Sequence, residues 1–379
     1  MGPEERRAVA TLAFIHGLVH GNVLAIPVFL AFAWRVEFGL DPVGAGALAA
    51  VAYVAFGASS VPFGRLADRG DPRVLLALCV AGIAASMAAV ALSRTLPLLV
   101  GSLAALGIAS GIYHPTGLAY ISRHVREQGR GMGWHGMGGS LGVATGPAVV
   151  GALIALQVPW RYAAGAMAVP AILAFFLLAS QRPPPSGAPR APGGIGDALR
   201  GLGTRRFAAM LLVYMFAGVA YWGSLTFLPE LVGAGSYAFL LALGAVGQVV
   251  SGHLADRPRP HRTLAAMSAI AAGVLATLAT GIPAIVAAGA WVFGFLLFSL
   301  EPLQNTLVTA AVPPGDRGLA FGMTFLSVFG LGSIGAVLAG VLLATGRTAV
   351  LFLLLAASLV VSGLFALKSR ESGRTAGRG

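Results

Sequence analysis

Gly64 to Arg73 reads G-R-L-A-D-R-G-D-P-R, and Gly252 to Arg262 reads G-H-L-A-D-R-P-R-P-H-R. Each copy stands at the exit of a long apolar run and leads, through glycine or proline, into another. A tight charged turn of this kind, present once in each half of a chain, is the mark of an internally duplicated membrane protein. Other landmarks recur at nearly the same interval. Arg130-Gly131 returns as Arg317-Gly318 and His114-Pro115 as Glu301-Pro302, each 187 positions on, and the charged turn returns after 188.

Composition supports a membrane setting. The chain has 379 residues, 57% of them hydrophobic and 10% charged, a balance that a water-soluble domain of this length does not carry. Many of the 53 glycines and 22 prolines lie inside apolar runs, where they let helices approach and bend. A net charge of +12 would suit a nucleic-acid binder, but the basic residues come in short clusters between apolar runs. Cys79 is the lone cysteine, which rules out an internal disulfide or a thiolate metal cluster. Arg6 and Arg7 precede an apolar run reaching about Trp34, too long for a cleaved leader, so the reading is an uncleaved first helix.

Windows of about 20 apolar residues predict an all-α polytopic membrane protein with twelve spans. These are residues 8–34, 43–66, 73–93, 97–122, 129–156, 159–180, 206–231, 236–256, 262–281, 283–310, 317–344 and 348–368. Of the 25 Lys and Arg residues, only Arg35, Arg94, Arg161 and Arg347 fall outside the even-numbered loops and the termini. The positive-inside rule then places both termini in the cytoplasm. The Pro- and Gly-rich stretch from Gln181 divides the chain into an N-terminal six-helix bundle (1–180), a cytoplasmic linker (181–205) and a C-terminal six-helix bundle with a short tail (206–379). A short interfacial helix is expected at Ile195 to Leu202.

With these residues in view, the chain resembles the major facilitator superfamily, whose loop between helices 2 and 3 has the form G-x-L-A-D-R-x-G-R-K. Gly64, Leu66, Ala67, Asp68 and Arg69 match it, as do Gly252, Leu254, Ala255, Asp256 and Arg257. The tails differ: Gly70 comes one place early and the second copy has prolines. The resemblance implies two pseudo-symmetric bundles, and it gives Gly64, Asp68, Arg69, Gly252, Asp256 and Arg257 a gating role, with the aspartates acting through ionic and helix-end contacts. Helix 5 carries G-G-S-L-G-V-A-T-G-P-A-V-V-G from Gly138 to Gly151, similar to a family motif often associated with antiporters. Physically it is a packing stripe, since Gly142 and Gly146 share a face and Pro147 bends the helix.

Few polar groups stand inside the apolar runs, where each is costly unless it meets a cavity or a partner. They are His16, His20 and Asn22 on helix 1, His114 on helix 4, His135 on helix 5, Gln248 on helix 8, and Glu301, Gln304 and Asn305 on helix 10. His16 and His20 share a helix face, as do Glu301, Gln304 and Asn305, whereas Asn22 points elsewhere. In the family, helices 1, 4, 7 and 10 line the central cavity. The resemblance therefore makes His16, His20, His114, Glu301, Gln304 and Asn305 the expected substrate- and proton-binding residues, clustered just on the cytoplasmic side of the midplane. Glu301 is the expected proton-titrating group with His114 as its counterpart. Pro115 and Pro302 should free the carbonyls of Gly111 and Phe298. His135 is expected to pin helices, Glu230 to sit at the membrane interface, and Tyr53, Tyr214, Tyr221 and Trp222 to be available as aromatic walls.

Tyr113 to Gly151, with Y-H-P, R-G-M-G-W-H-G-M-G-G-S-L-G and G-P, resembles the fosmidomycin-resistance-type efflux branch. That implies a proton-coupled antiporter exporting a drug or metabolite by alternating access, although helix 4 has Leu103 and Leu106 where many such antiporters carry an arginine. Two rivals stand beside it: a uniporter or symporter importing a small nutrient or anion, and a divalent transition-metal carrier using the histidines and Glu301 if they converge. The chain's partners are then a small-molecule substrate, protons and the lipid bilayer, with no nucleic acid, and it acts as a monomer. No cofactor or resident metal is expected, and no enzyme. Gly131 to Gly136 satisfies G-x-G-x-x-G without a preceding strand, Gly17 replaces the glutamate of H-E-x-x-H, and there is no Walker motif, the one lysine being Lys368. Arginine in place of lysine, with abundant Ala and Gly, hints at a high-GC prokaryote and an inner-membrane location.

Overall fold

The computed structural model describes residues 1–180, 195–255 and 257–369. Most of the expected linker, Asp256 and the C-terminal tail thus lie outside the described residues. Among the described residues, twelve helices are long and apolar enough to cross a membrane: α1 (Pro3–Glu37), α2 (Pro42–Arg69), α3 (Pro72–Leu92), α4 (Leu96–Ile121), α5 (Gly131–Ala155), α6 (Trp160–Ala179), α7 (Arg205–Leu225), α8 (Ala234–Ala255), α9 (Pro260–Thr280), α10 (Pro283–Ala311), α11 (Arg317–Ala344) and α12 (Thr348–Lys368). No strand occurs among the described residues. The spans match the hydropathy windows to within about six residues, the largest difference being at α7, which ends at Leu225 where 231 was expected and is followed by the short helix Leu228–Val232.

Local chemistry explains the boundaries. Pro42, Pro72, Pro260 and Pro283 open their helices in the first turn, where a missing N–H costs nothing. Asp41 accepts from Gly44 N at 2.7 Å and Thr204 from Phe207 N at 3.1 Å, capping α2 and α7. Gly39, Gly281 and Gly346 follow α1, α9 and α11 with φ of 60°, 67° and 69°, the left-handed turn that ends a helix at glycine with least strain. The expected helix Ile195–Leu202 is present.

The packing of the first six helices repeats in the last six. The pairs α2–α4 and α3–α6 correspond to α8–α10 and α9–α12, giving two pseudo-symmetric six-helix bundles. They meet along two seams, α2 against α11 and α5 against α8. Small residues make the first seam close: a Cβ on Gly46, Gly57 or Gly64 would collide with the backbone of Ala336, Gly330 or Gly318. The α1–α5 crossing inside the first bundle is equally tight, with Gly138, Gly142 and Gly146 lying on the backbone of Ala13, Gly17 and Gly21. The glycine motif on α5 therefore serves packing, and it places one face of α1 beside α5.

Among the described residues, α1 and α11 each carry a π turn. A π turn, Leu30–Trp34, follows Pro27 in α1, and another, Leu326–Leu331, interrupts α11. Helix α4 breaks at Ile112 between Leu96–Gly111 and Tyr113–His124, three residues before Pro115.

Candidate functional site

At the end of the molecule that holds Gly64, the first charged motif acts as a clasp. Asp68 is buried, and its Oδ1 and Oδ2 accept from the backbone N–H groups of Gly318 at 3.2 Å and Leu319 at 3.1 Å. The carboxylate thus satisfies the open amides at the start of α11 and faces the positive end of that helix. Arg65 approaches Asp316 at 3.6 Å beside it. The second copy is unlike the first, because Gly252 has open space where its side chain would be. The α2–α11 seam is clasped at this end. At the opposite end, Arg35 of α1 pairs with Glu230 of the short helix Leu228–Val232, an ion pair between bundles. The expected interfacial glutamate is one half of that bridge.

Replacing Asp68 with Asn removes the charge and leaves a single acceptor for two amides, at a cost of about 1–2 kcal/mol at a helix N-terminus. We expect a protein that still folds but whose α2 and α11 separate more often at the motif end. Spin labels on those two helix ends should show a longer-distance population that is minor in the wild type.

Two polar groups lie deeper. The first gathers the histidines. His16 and His20, one turn apart on α1, have ring centroids 4.8 Å apart, and His114 of α4 lies 4.9 Å from His16 and 5.0 Å from His20. His135 of α5 stacks on His16 at 4.1 Å, and its carbonyl accepts from His16 Nδ1 at 2.8 Å. All four are buried. Gly139 makes room for the His16 ring, which a side chain there would strike. Asn22 turns away, donating to the Leu18 carbonyl at 2.9 Å. It faces an apolar cavity of about 660 Å³ between α1, α5 and α6.

The second group surrounds Glu301, half-buried on α10. Gln248 Nε2 donates to Glu301 Oε2 at 2.7 Å, and Asn305 stands one turn further along α10. Tyr214 on α7 donates to Asn305 Oδ1 at 2.7 Å, while Ser140 on α5 donates to Gln248 Oε1. The chain Ser140–Gln248–Glu301 thereby joins α5, α8 and α10 across the seam between bundles, and one turn along α10 the Asn305–Tyr214 bond ties that helix to α7. Gln304 is buried beside it with its Nε2 unpaired. Gln248 and Ser140 complete this network and were absent from the expected site. Gln248 is visible in sequence as a rare polar residue in an apolar run.

His114 and Glu301 do not meet as a bonded pair. His114 lies flat on Phe325 of α11 at 4.2 Å, and ring contacts continue through Phe329, Trp222 and Tyr221 to Phe298, one turn from Glu301. Tyr53 stacks on Trp222 at 3.7 Å and Phe56 on Phe329 at 3.9 Å. The rings of α2, α7 and α11 thus stand between the histidines and the carboxylate. The Gly111 carbonyl, released by Pro115, is not left free either: Ser60 of α2 donates to it at 3.1 Å.

A twelve-helix, pseudo-symmetric membrane protein with polar networks buried on its inner helices defines a solute carrier. The family model described as Major Facilitator Superfamily matches residues 9–334, and the chain belongs to that family. It is accordingly a transporter and not an enzyme. Over 129 residues, 34% of this chain and 28% of the relative, it is 30% identical to the "Probable L-galactonate transporter" of Escherichia coli K12. The match thus spans well under half of that relative's length. Solved structures that share the fold include a bacterial homologue of the human lysosomal transporter Spinster in an inward-facing, unoccupied conformation (TM-score 0.72, 19% identity, 98% of this chain and 99% of that one), a POT family transporter in complex with a thioalcohol-conjugated peptide (0.76, 13%, 96% and 96%), and the nucleoside transporter NupG (0.74, 14%, 97% and 99%).

Proposed function

We propose that this chain is a secondary active transporter that exports a small organic solute, a drug or metabolite, in exchange for protons by alternating access. The observation that carries the reading is the Ser140–Gln248–Glu301 chain, with the Asn305–Tyr214 bond one turn along the same helix. A carboxylate deep in a membrane protein is a functional group by default, and this one is tied to the α5–α8 seam. Ionised, Glu301 accepts from Gln248, whose oxygen then faces Ser140. Protonated, it gains an O–H donor that competes with the Ser140 hydroxyl for the Gln248 oxygen while its other oxygen still accepts. Proton binding is in this way linked to the contact between bundles.

The motif ends of the bundles face the cytoplasm of an inner membrane in this reading, because the arginine clusters gather there, and the carrier works as a monomer. Resemblance of Tyr113–Gly151 to the fosmidomycin-resistance-type branch supports efflux. Import of a small anion is the second reading, favoured by the partial identity to a protein named for L-galactonate. Purified protein in sealed vesicles with an imposed pH gradient separates them. Under the efflux reading, candidate solutes accumulate in everted vesicles as protons leave. Gradient-independent flux, or uptake only in the direction of proton flow, would reject it.

A further inference from the structure

We propose that His16, His20 and His114 form a binding site for one divalent first-row transition-metal ion. The inference goes beyond solute transport and does not rest on it. One ring nitrogen from each of the three residues lies within 4.8 Å of the others. The centre of such a triangle is at most about 2.8 Å from each nitrogen, against about 2.0–2.1 Å in a zinc–imidazole bond. A contraction of under about 1 Å, within reach of side-chain adjustment, closes the site.

The hydrogen bonds favour this over a simple helix pin. A carbonyl only accepts, so His16 must carry its proton on Nδ1 to bond the His135 carbonyl. Its Nε2 is then a bare lone pair, buried and without a partner. A backbone carbonyl behind one ring nitrogen with a free lone pair on the other is how proteins orient metal-ligating histidines. His114 Nε2 is buried and unpartnered as well. Histidines that merely held helices together would pair these nitrogens, because each buried orphan costs about 1–3 kcal/mol. A shared ion satisfies them together.

Neighbouring groups narrow the ligand set. His135 stacks on His16 with 18° between the ring planes, so their in-plane lone pairs run nearly parallel and cannot converge on one ion. Tyr113 also stacks on His16, but its phenol donates to the Leu12 carbonyl. Glu301 accepts from Gln248 and does not join the triad. A site of three imidazoles without carboxylate or thiolate suits Zn²⁺, Co²⁺, Ni²⁺ or Cu²⁺ and not Mg²⁺ or Ca²⁺, which take oxygen ligands.

The test uses tag-free full-length protein in detergent, stripped with chelator and titrated with Zn²⁺ by calorimetry and with Co²⁺ by visible absorption. We expect one ion per chain with roughly micromolar affinity or better, and Co²⁺ bands of a four-coordinate site. His114→Gln and His20→Gln should each weaken binding at least tenfold, while His135→Phe and Glu301→Gln retain it. Melting curves without metal show whether each variant is folded, and only folded variants are compared. Absence of binding by the wild type, or equal binding by folded His114→Gln and His20→Gln, overturns the proposal. These readouts need no transport, so the site can fail while the carrier reading stands, or the reverse.

Discussion

Glu301→Gln is expected to leave a folded, membrane-inserted protein that no longer couples solute movement to a pH gradient. Glutamine has nearly the same shape as glutamate and can still accept from Gln248 through its oxygen, so the hydrogen bonds at 2.7 Å need not break and packing on α10 is unchanged. What disappears is the exchange of one proton. In vesicles, gradient-driven transport should fall by roughly one hundredfold, equivalent to about 2.7 kcal/mol at about 1.36 kcal/mol per decade. Solute exchange without a gradient should persist, and its rate should lose the dependence on pH seen in the wild type. Gln248→Ala is the companion measurement, since it keeps the carboxylate but cuts its tie to Ser140. Proton binding should then survive while transport slows. Undiminished coupling in Glu301→Gln would remove this residue from the mechanism.

How much of this was legible before the fold was known depends on what makes a residue conspicuous. The twelve spans and their boundaries were, because a bilayer imposes a length and a polarity that few other environments share. His114 and Glu301 were also conspicuous, since polar groups are scarce in these runs and each precedes a proline. Their separation was not. Nothing in a string of apolar letters distinguishes Phe325 and Phe329, which stand against His114 and Trp222, from phenylalanines that face lipid. Their placement follows from the π turn Leu326–Leu331, and π turns carry no simple sequence mark. Ser140 was hidden in a glycine motif, where a small polar residue reads as part of the packing stripe. The histidine triad was half-visible. The four-residue spacing of His16 and His20 gave one edge, but its third corner came from the break in α4 at Ile112.

The α1–α5 crossing is where a single methylated glycine should do most damage. A Cβ on Gly142 falls onto the Gly17 carbonyl oxygen, and one on Gly146 falls onto that of Gly21. Both obstacles are backbone, which cannot rotate aside as a side chain would. Gly142→Leu therefore has to push the two helices apart, and in a membrane there is no hydrophobic gain to offset the lost contact, because the separated surfaces meet lipid instead of water. Overpacking in soluble cores costs about 1–3 kcal/mol and sometimes more. A four-carbon side chain against backbone belongs at the upper end. We expect little monodisperse protein after extraction and a large fall in melting temperature. Gly133→Leu serves as the control on the same helix, since open space surrounds that position; it should be tolerated. A milder variant, Gly139→Ala, tests the connection to the histidines: the atoms nearest its methyl would be those of the His16 ring. That protein should fold, yet bind Zn²⁺ at least tenfold more weakly than the wild type, because the displaced ring loses its bond to the His135 carbonyl. A folded Gly142→Leu protein of wild-type stability would show that α1 and α5 do not approach this closely, and the placement of His16 against His135 would fall with it.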